Sequence, residues 1–198
     1  MTLVTATTER GQRGRRRILD AAREALIAGN GRLELAALTA AAGVSTGAVY
    51  HHFGSRAGVL TALVDEMYAH LGSEVLDVEV EGGTWAGRER ERIRRLVRLS
   101  YAEPLAGVLF AVNAQEPALA AADARHTERL VAAAAANVRR AQRHGELSLD
   151  LDPDLVGAMV MGGIRQVMAL ALTEHPRRPE PRLADQLWSL VAALVTAS

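Results

Sequence analysis

The sequence predicts an all-α protein of about nine helices, with a small N-terminal three-helix head and a larger C-terminal helical body. Three observations carry that expectation. Apolar residues recur at helical spacing along the chain, and no segment alternates with the period of a strand or repeats another. Glycines, prolines and capping residues fall between these segments, where helices must start and stop. Alanine is abundant while aromatics make up only 4% of the chain, which favours closely packed helices over sheets. With 198 residues, 49% of them hydrophobic, the chain has ample material for a core in one large or two small domains.

The elements follow in order. Residues 1–14 are polar and rich in Thr, Gly and Arg, and read as a disordered arm. Arg10, Arg13, Arg15, Arg16 and Arg17 make its end basic, as in arms that reach a phosphate backbone or a minor groove. From 16 to 28 the residues Ile18, Ala21, Ala22, Ala25 and Leu26 mark one helical stripe, stopped by Gly29, Asn30 and Gly31. A short helix over 35–42 precedes a turn at Gly43 and a second short helix over 46–53; together residues 15–54 form the head. Ser55 caps a longer connecting helix within 55–78, striped by Leu60, Leu63, Val64, Met67 and Leu71.

The body spans 79–198, after a boundary near residues 77–84, where acids mix with Gly82 and Gly83. An amphipathic helix over 88–101 turns its arginines and glutamates to solvent. Pro104 and Pro117 bracket a shorter helix. A helix over 123–144 ends at Gly145, and its run Ala132 to Ala136 invites a close neighbour. Asp152, Pro153 and Asp154 combine a cap, a fixed first dihedral and a negative charge at the positive end of a helix dipole. That helix runs to about residue 173; Pro176, Pro179 and Pro181 then stiffen a linker to a last helix over 183–197.

Function is concentrated in the stretch from Gly43 to Arg56, GVSTGAVYHHFGSR. Gly43 can adopt the left-handed conformation that ends a helix sharply, and Ser45 can cap the next. Val49 and Phe53, four apart, face inward. Thr46, Gly47, Tyr50, His51 and His52 then face outward or edge-on, as suits a helix laid into a DNA major groove. Charge agrees with this reading: residues 1–60 hold eight arginines against four acids, whereas 61–198 hold fifteen against nineteen. A basic head on an acidic body is the electrostatic footprint of a duplex-binding module.

The same window resembles the TetR family of bacterial transcription regulators, whose recognition segment runs roughly Gly-Val-Ser-x-Gly-x-Leu/Val-Tyr-x-His-Phe-x-Ser-Lys. Gly43, Val44, Ser45, Gly47, Val49, Tyr50, His52, Phe53 and Ser55 match it, and Arg56 stands where lysine is usual. The likeness covers residues 15–76. It departs at Leu33 and Glu34, where a Thr or Ser cap is usual, and at Thr39, where a small Ala is common. The resemblance assigns Thr46, Gly47 and His51 to base edges or nearby sugar-phosphate, Tyr50, His52 and Arg56 mainly to phosphate, and Ser45 mainly to capping. It also implies a homodimer through the last two helices, which are apolar on more than one face, with Gly157, Gly162 and Gly163 admitting close backbones. Double-stranded DNA carrying an inverted repeat is the implied partner. A small, mainly hydrophobic effector is expected among Leu96, Ser100, Tyr101, Leu109, Val112, Asn113, Arg165, Gln166, Val167 and Met168, relieving repression when it binds.

Other classes find little in the sequence. With no cysteine there is neither a disulfide framework nor a thiolate metal site, and neither a metal nor a cofactor is expected. The N-terminus lacks the apolar core of a signal peptide, and Arg165 and Gln166 interrupt the longest apolar region, so no membrane span and a cytoplasmic location are expected. An enzyme would need a nucleophile elbow, phosphate loop or dinucleotide fingerprint, none of which occurs; Asp123, His126 and His144 are the one set that folding could unite. A helical enzyme or adaptor that binds a small molecule without DNA is the alternative, and it leaves the basic head unexplained.

Overall fold

The computed structural model describes residues 9–76, 83–111 and 116–196. Within them are nine α-helices and no strand: α1 (Glu9–Ala28), α2 (Leu35–Ala42), α3 (Thr46–Phe53), α4 (Arg56–Leu71), α5 (Trp85–Ala102), α6 (Pro104–Ala111), α7 (Pro117–Arg143), α8 (Pro153–Thr173) and α9 (Glu180–Thr196). A π-helical turn, Gly72–Leu76, extends α4. The expected all-helical fold is therefore what forms. Part of the expected boundary, residues 77–82, lies outside the described residues.

Local chemistry explains most helix ends. Gly43, at φ +59°, closes α2 in the left-handed region, and Ser45 Oγ accepts from the Ala48 N–H at 3.2 Å to open α3. Ser55 does the same for α4 through the Gly58 N–H (2.9 Å), and Asp152 for α8 through Asp154 and Leu155. Glu34 precedes α2 without any side-chain cap bond, as the missing Thr or Ser anticipates.

Four helix starts differ from expectation; α5 begins at Trp85 and not at 88, and α9 at Glu180 and not at 183, so Pro181 lies in the first turn of α9 and not in the linker. Helix α1 begins at Glu9, so Arg10 and Arg13 lie on the helix and not on a loose arm. Arg13 reaches Glu9 and Arg16 reaches Asp20, contacts between residues four apart that favour the additional turns. Helix α7 begins at Pro117, well before residue 123; proline suits the first helical position because its missing N–H would have had no partner there.

Two apolar clusters hold the molecule. The first joins α1–α4 to Leu105, Val108 and Leu109 of α6 and Leu119 and Ala122 of α7, so the core of the head continues into the body. The second gathers Val97 of α5, Val138 of α7, Ile164 and Met168 of α8, and Leu187 and Val191 of α9. Gly157 permits the tight α7–α8 contact: a Cβ there would lie 2.9 Å from the backbone of Val131 and of Ala135. The small residues of α7 thus serve the close approach expected of them. Gly157, however, is consumed inside the subunit and is not available to a second copy.

The outer surface of α8 and α9 keeps an apolar face. Leu155, Met159, Leu170 and Leu190 are each more than half exposed, and Gly162 and Gly163 face open space. Against expectation, α8 does meet the length and mean hydropathy (1.7) of a membrane-crossing helix, alone among the described helices. A single arginine does not bring the window below that level, and in the fold Arg165 is paired with Asp123 of α7.

Candidate nucleic-acid interface and internal cavity

Helix α3 stands on the surface with one side anchored. Val49 is fully buried, while Ser45, Thr46, Gly47, Tyr50 and His51 are exposed, Tyr50 at 50% of its possible surface. His52 is half-buried, its ring edge-on to His51 (5.2 Å) and Phe53 (6.3 Å). The guanidinium of Arg15 sits 5.2 Å from the Phe53 ring centre. Two other arginines of the basic stretch are engaged in the fold: Arg17 donates to the carbonyls of Ala42 and Gly43 (3.1 Å each), bracing the turn, and Arg16 pairs with Glu66 at 2.7 Å.

Arg56 does not stand with the exposed group. Its guanidinium forms two parallel bonds to the Glu116 carboxylate (2.6 and 2.8 Å) and a third to the Leu33 carbonyl (2.7 Å), tying the start of α4 to the start of α7. The hydrogen bond to Glu116 raises the Arg56 pKa further, and the same bond holds the Glu116 carboxyl below the usual carboxylate range. The expected phosphate contact is therefore already filled by a carboxylate of the body.

Between α4, α5, α7 and α8 lies a cavity of about 380 Å³. Of the ten residues expected around a ligand, Leu96, Arg165 and Met168 line it. Leu109 belongs to the core shared with the head, and Gln166 is exposed on the outer side of α8. Tyr101 lies elsewhere, its hydroxyl donating to the Arg178 carbonyl (3.2 Å) with Arg177 over its ring. Ser100 is fully buried but off the cavity, and Val167 packs against the second core. Val112 and Asn113 lie outside the described residues.

Several lining residues were absent from the expectation: Tyr68, Trp85, Glu89, Arg92, Asn137 and Arg140. A signal for three of them existed. Trp85, Glu89, Arg92, Ile93 and Leu96 recur at i, i+4, i+7, i+8 and i+11, one face of α5, so Glu89 and Arg92 turn inward and not to the solvent expected for the charges of that helix.

The polar groups form two sets. On one side the Tyr68 hydroxyl donates to Asp123 at 2.6 Å, and Arg165 donates to both oxygens of the same carboxylate (3.1 and 2.6 Å) and to the Leu109 carbonyl (3.3 Å). Burial, and then the bond to Asp123, push the Tyr68 hydroxyl up, so it remains a donor. On the other side Glu89 accepts from Arg92 and from Asn137 (2.7 Å), and Arg140 donates to Asn137 (3.0 Å).

The possible catalytic set is divided. His126 stacks on Tyr68 and bonds Asp65 at 2.7 Å, Asp123 serves Tyr68 and Arg165, and His144 caps the far end of α7, about 30 Å along the helix. Among the described residues no group of three or more His, Cys, Asp or Glu side chains could hold a metal ion.

An exposed short helix after a tight turn on a three-helix head, joined by one helix to a hollow helical body, is a helix-turn-helix architecture. Residues 18–63 match the model of the family described as bacterial regulatory proteins, tetR family, and the head is a TetR-type DNA-binding domain. The likeness in fold extends over nearly the whole chain. The FadR regulator of Bacillus subtilis in complex with stearoyl-CoA superposes with a TM-score of 0.77 at 17% identity, over 92% of this chain and 98% of that one. A TetR-family regulator from Rhodococcus sp. gives 0.72 at 23%, over 93% and 100%, and the SmeT–triclosan complex 0.77 at 23%, over 91% and 90%. Comparison with the curated proteins finds no match.

Proposed function

We propose that the protein is a ligand-responsive transcriptional regulator, acting as a repressor in the cytoplasm, that binds an inverted-repeat operator as a homodimer and is released by a small, mainly apolar effector. The observation that carries the reading is the exposed face of α3, Thr46, Gly47, Tyr50 and His51, on a helix otherwise pinned by the buried Val49. Side chains of that kind reach base edges and phosphates when a helix enters the major groove. Arg10, Arg13 and Arg15, exposed along α1, would add phosphate contacts beside it.

The apolar outer face of α8 and α9 favours a two-fold dimer, with Gly162 and Gly163 letting the copies approach. Two recognition helices about 34–36 Å apart would then read one inverted repeat. The cavity suits a small organic molecule with few polar groups, and two fold neighbours are complexes with stearoyl-CoA and with triclosan. No cofactor or catalytic step is part of this reading.

Retention of labelled genomic fragments at moderate salt tests it. Fragments sharing an inverted repeat should be retained and footprinted; retention without sequence preference, or none at any salt, would refute it.

A further inference from the structure

The cavity makes a specific demand on whatever fills it. Two residues that line it each carry a buried N–H with no acceptor among the described residues: the indole Nε1–H of Trp85, a residue 5% exposed, and the Nε–H of Arg92. Buried N–H groups are almost always paired, so two unpaired donors on residues of one cavity wall call for an acceptor from outside the chain. The charge nearby has a definite sign. Arg92 pairs with the Glu89 carboxylate, whereas Arg140 donates to the neutral Asn137 amide, so that wall carries two guanidiniums against one carboxylate and is net positive. The opposite wall makes no such demand, because Tyr68, Asp123 and Arg165 satisfy one another. Elsewhere the lining is aliphatic, including Leu71, Val75, Leu130, Val160 and Ile164.

We propose that the effector is an amphiphile with an anionic head, a carboxylate, that accepts from Trp85 and Arg92, and an aliphatic tail lying among those five residues. An oxygen acceptor pairs both donors, and its charge matches the excess of guanidinium. Ammonium heads are repelled, and hydroxyl heads form only neutral bonds. At about 30 Å³ for each water-sized unit, the volume admits on the order of a dozen non-hydrogen atoms, the size of a ten-carbon acid. This inference rests on the cavity being the effector site and adds the chemical class of its ligand.

Calorimetric titration of the full chain with decanoate, 1-decanol and decyltrimethylammonium tests it, together with Trp85→Phe, which keeps a ring and deletes the N–H, and Glu89→Gln, which deletes the competing charge. Decanoate should bind at least about tenfold more tightly than 1-decanol, and the cation should not bind measurably. Trp85→Phe should weaken decanoate about tenfold and 1-decanol only about twofold, while Glu89→Gln should strengthen decanoate. Equal binding of the three heads, or equal losses of decanoate and alcohol in Trp85→Phe, would overturn the head-group assignment and leave the cavity as a ligand site. Binding of none of the three would overturn the cavity reading itself. DNA binding, measured separately, bears on neither outcome.

Discussion

Arg56 separates two accounts of the head that differ measurably. As a phosphate contact, its loss would remove one neutralised phosphate per head, two per dimer, and flatten the slope of log affinity against log salt by about 1.8. As a tie between head and body, its loss would lower stability and leave that slope unchanged. The geometry favours the tie. A bidentate charge-assisted pair is worth about 1.5–3 kcal/mol when sheltered. Here the Arg56 side chain is 39% exposed, so screening brings the value to about 1 kcal/mol. The bond to the Leu33 carbonyl adds up to about 1 kcal/mol more. Arg56→Met should therefore reduce the free energy of unfolding by about 1–2 kcal/mol, a fall in Tm of about 2–8 °C for a chain of this size. Urea unfolding followed by circular dichroism gives the first quantity; fluorescence anisotropy on an operator duplex from about 50 to 200 mM salt gives the second. Glu116→Gln should cost less, and the double variant less than the two losses added, with a coupling of about 1 kcal/mol. Parental stability in Arg56→Met combined with a slope flattened by about 1.8 would refute the reasoning.

On α3, Tyr50→Ala should weaken binding to every duplex without changing Tm, while Thr46→Ala and His51→Ala should shift the preferred sequence in a selection from random duplexes. Leu190→Arg, on the apolar face of α9, should convert a dimer to a monomer by analytical ultracentrifugation and abolish operator binding with the helical content intact. Gly157→Ala must displace the backbone of α7, at roughly 1–3 kcal/mol, against a helix-propensity gain of about 1 kcal/mol, so a lower urea midpoint is expected; Gly107→Ala, with open space around it, should raise the midpoint. Glu91 is drawn from its ordinary 4.5 to about 2 by its bond from Arg94, then that from Arg95. Because the folded state lowers this pKa, its stabilisation is complete above 4.5 and is lost as pH falls through about 2, and Glu91→Gln should flatten the acid-unfolding curve in that window.

What could be read from the sequence follows a physical division. Gly43, Ser45, Ser55 and the Asp152–Pro153 start act on groups within a few residues of themselves, so their roles need no knowledge of the fold. The exposed face of α3 follows equally from the four-residue spacing of Val49 and Phe53. Arg56 could not be read in this way, because its partner lies 60 positions away and only the packing of α7 beside the head brings it near. The cavity failed for a related reason. Amphipathic spacing alone sends the charges of α5 to solvent, yet Glu89 meets Asn137 of α7 and Arg92 meets Glu89, and a buried charge is tolerated where such partners meet it. Gly157 shows the same limit: spacing revealed a helix able to approach another closely, but not which one.

The two candidate sites are connected by shared elements. Tyr68 and Leu71 of α4 form part of the cavity wall, and the same helix packs its Val59, Leu60 and Leu63 into the core of the head. Asp123 joins Tyr68 of α4 to Arg165 of α8, and Arg165 also holds a carbonyl of α6, the helix that supplies Leu105 and Leu109 to the head core. A second tie, Arg23 to Glu103 at 2.5 Å, fixes α1 to the α5–α6 corner, and Arg56–Glu116 fixes α4 to α7. Close-packed elements linked at several points respond to displacement by shifting together, because interiors at crystal-like density offer little slack. A ligand that merely fits the cavity shifts nothing, however tightly it binds; it must favour one position of α4 over another. Under the proposed function, Tyr68, on the cavity wall and on the helix that follows α3, gives α4 a direct part in that difference.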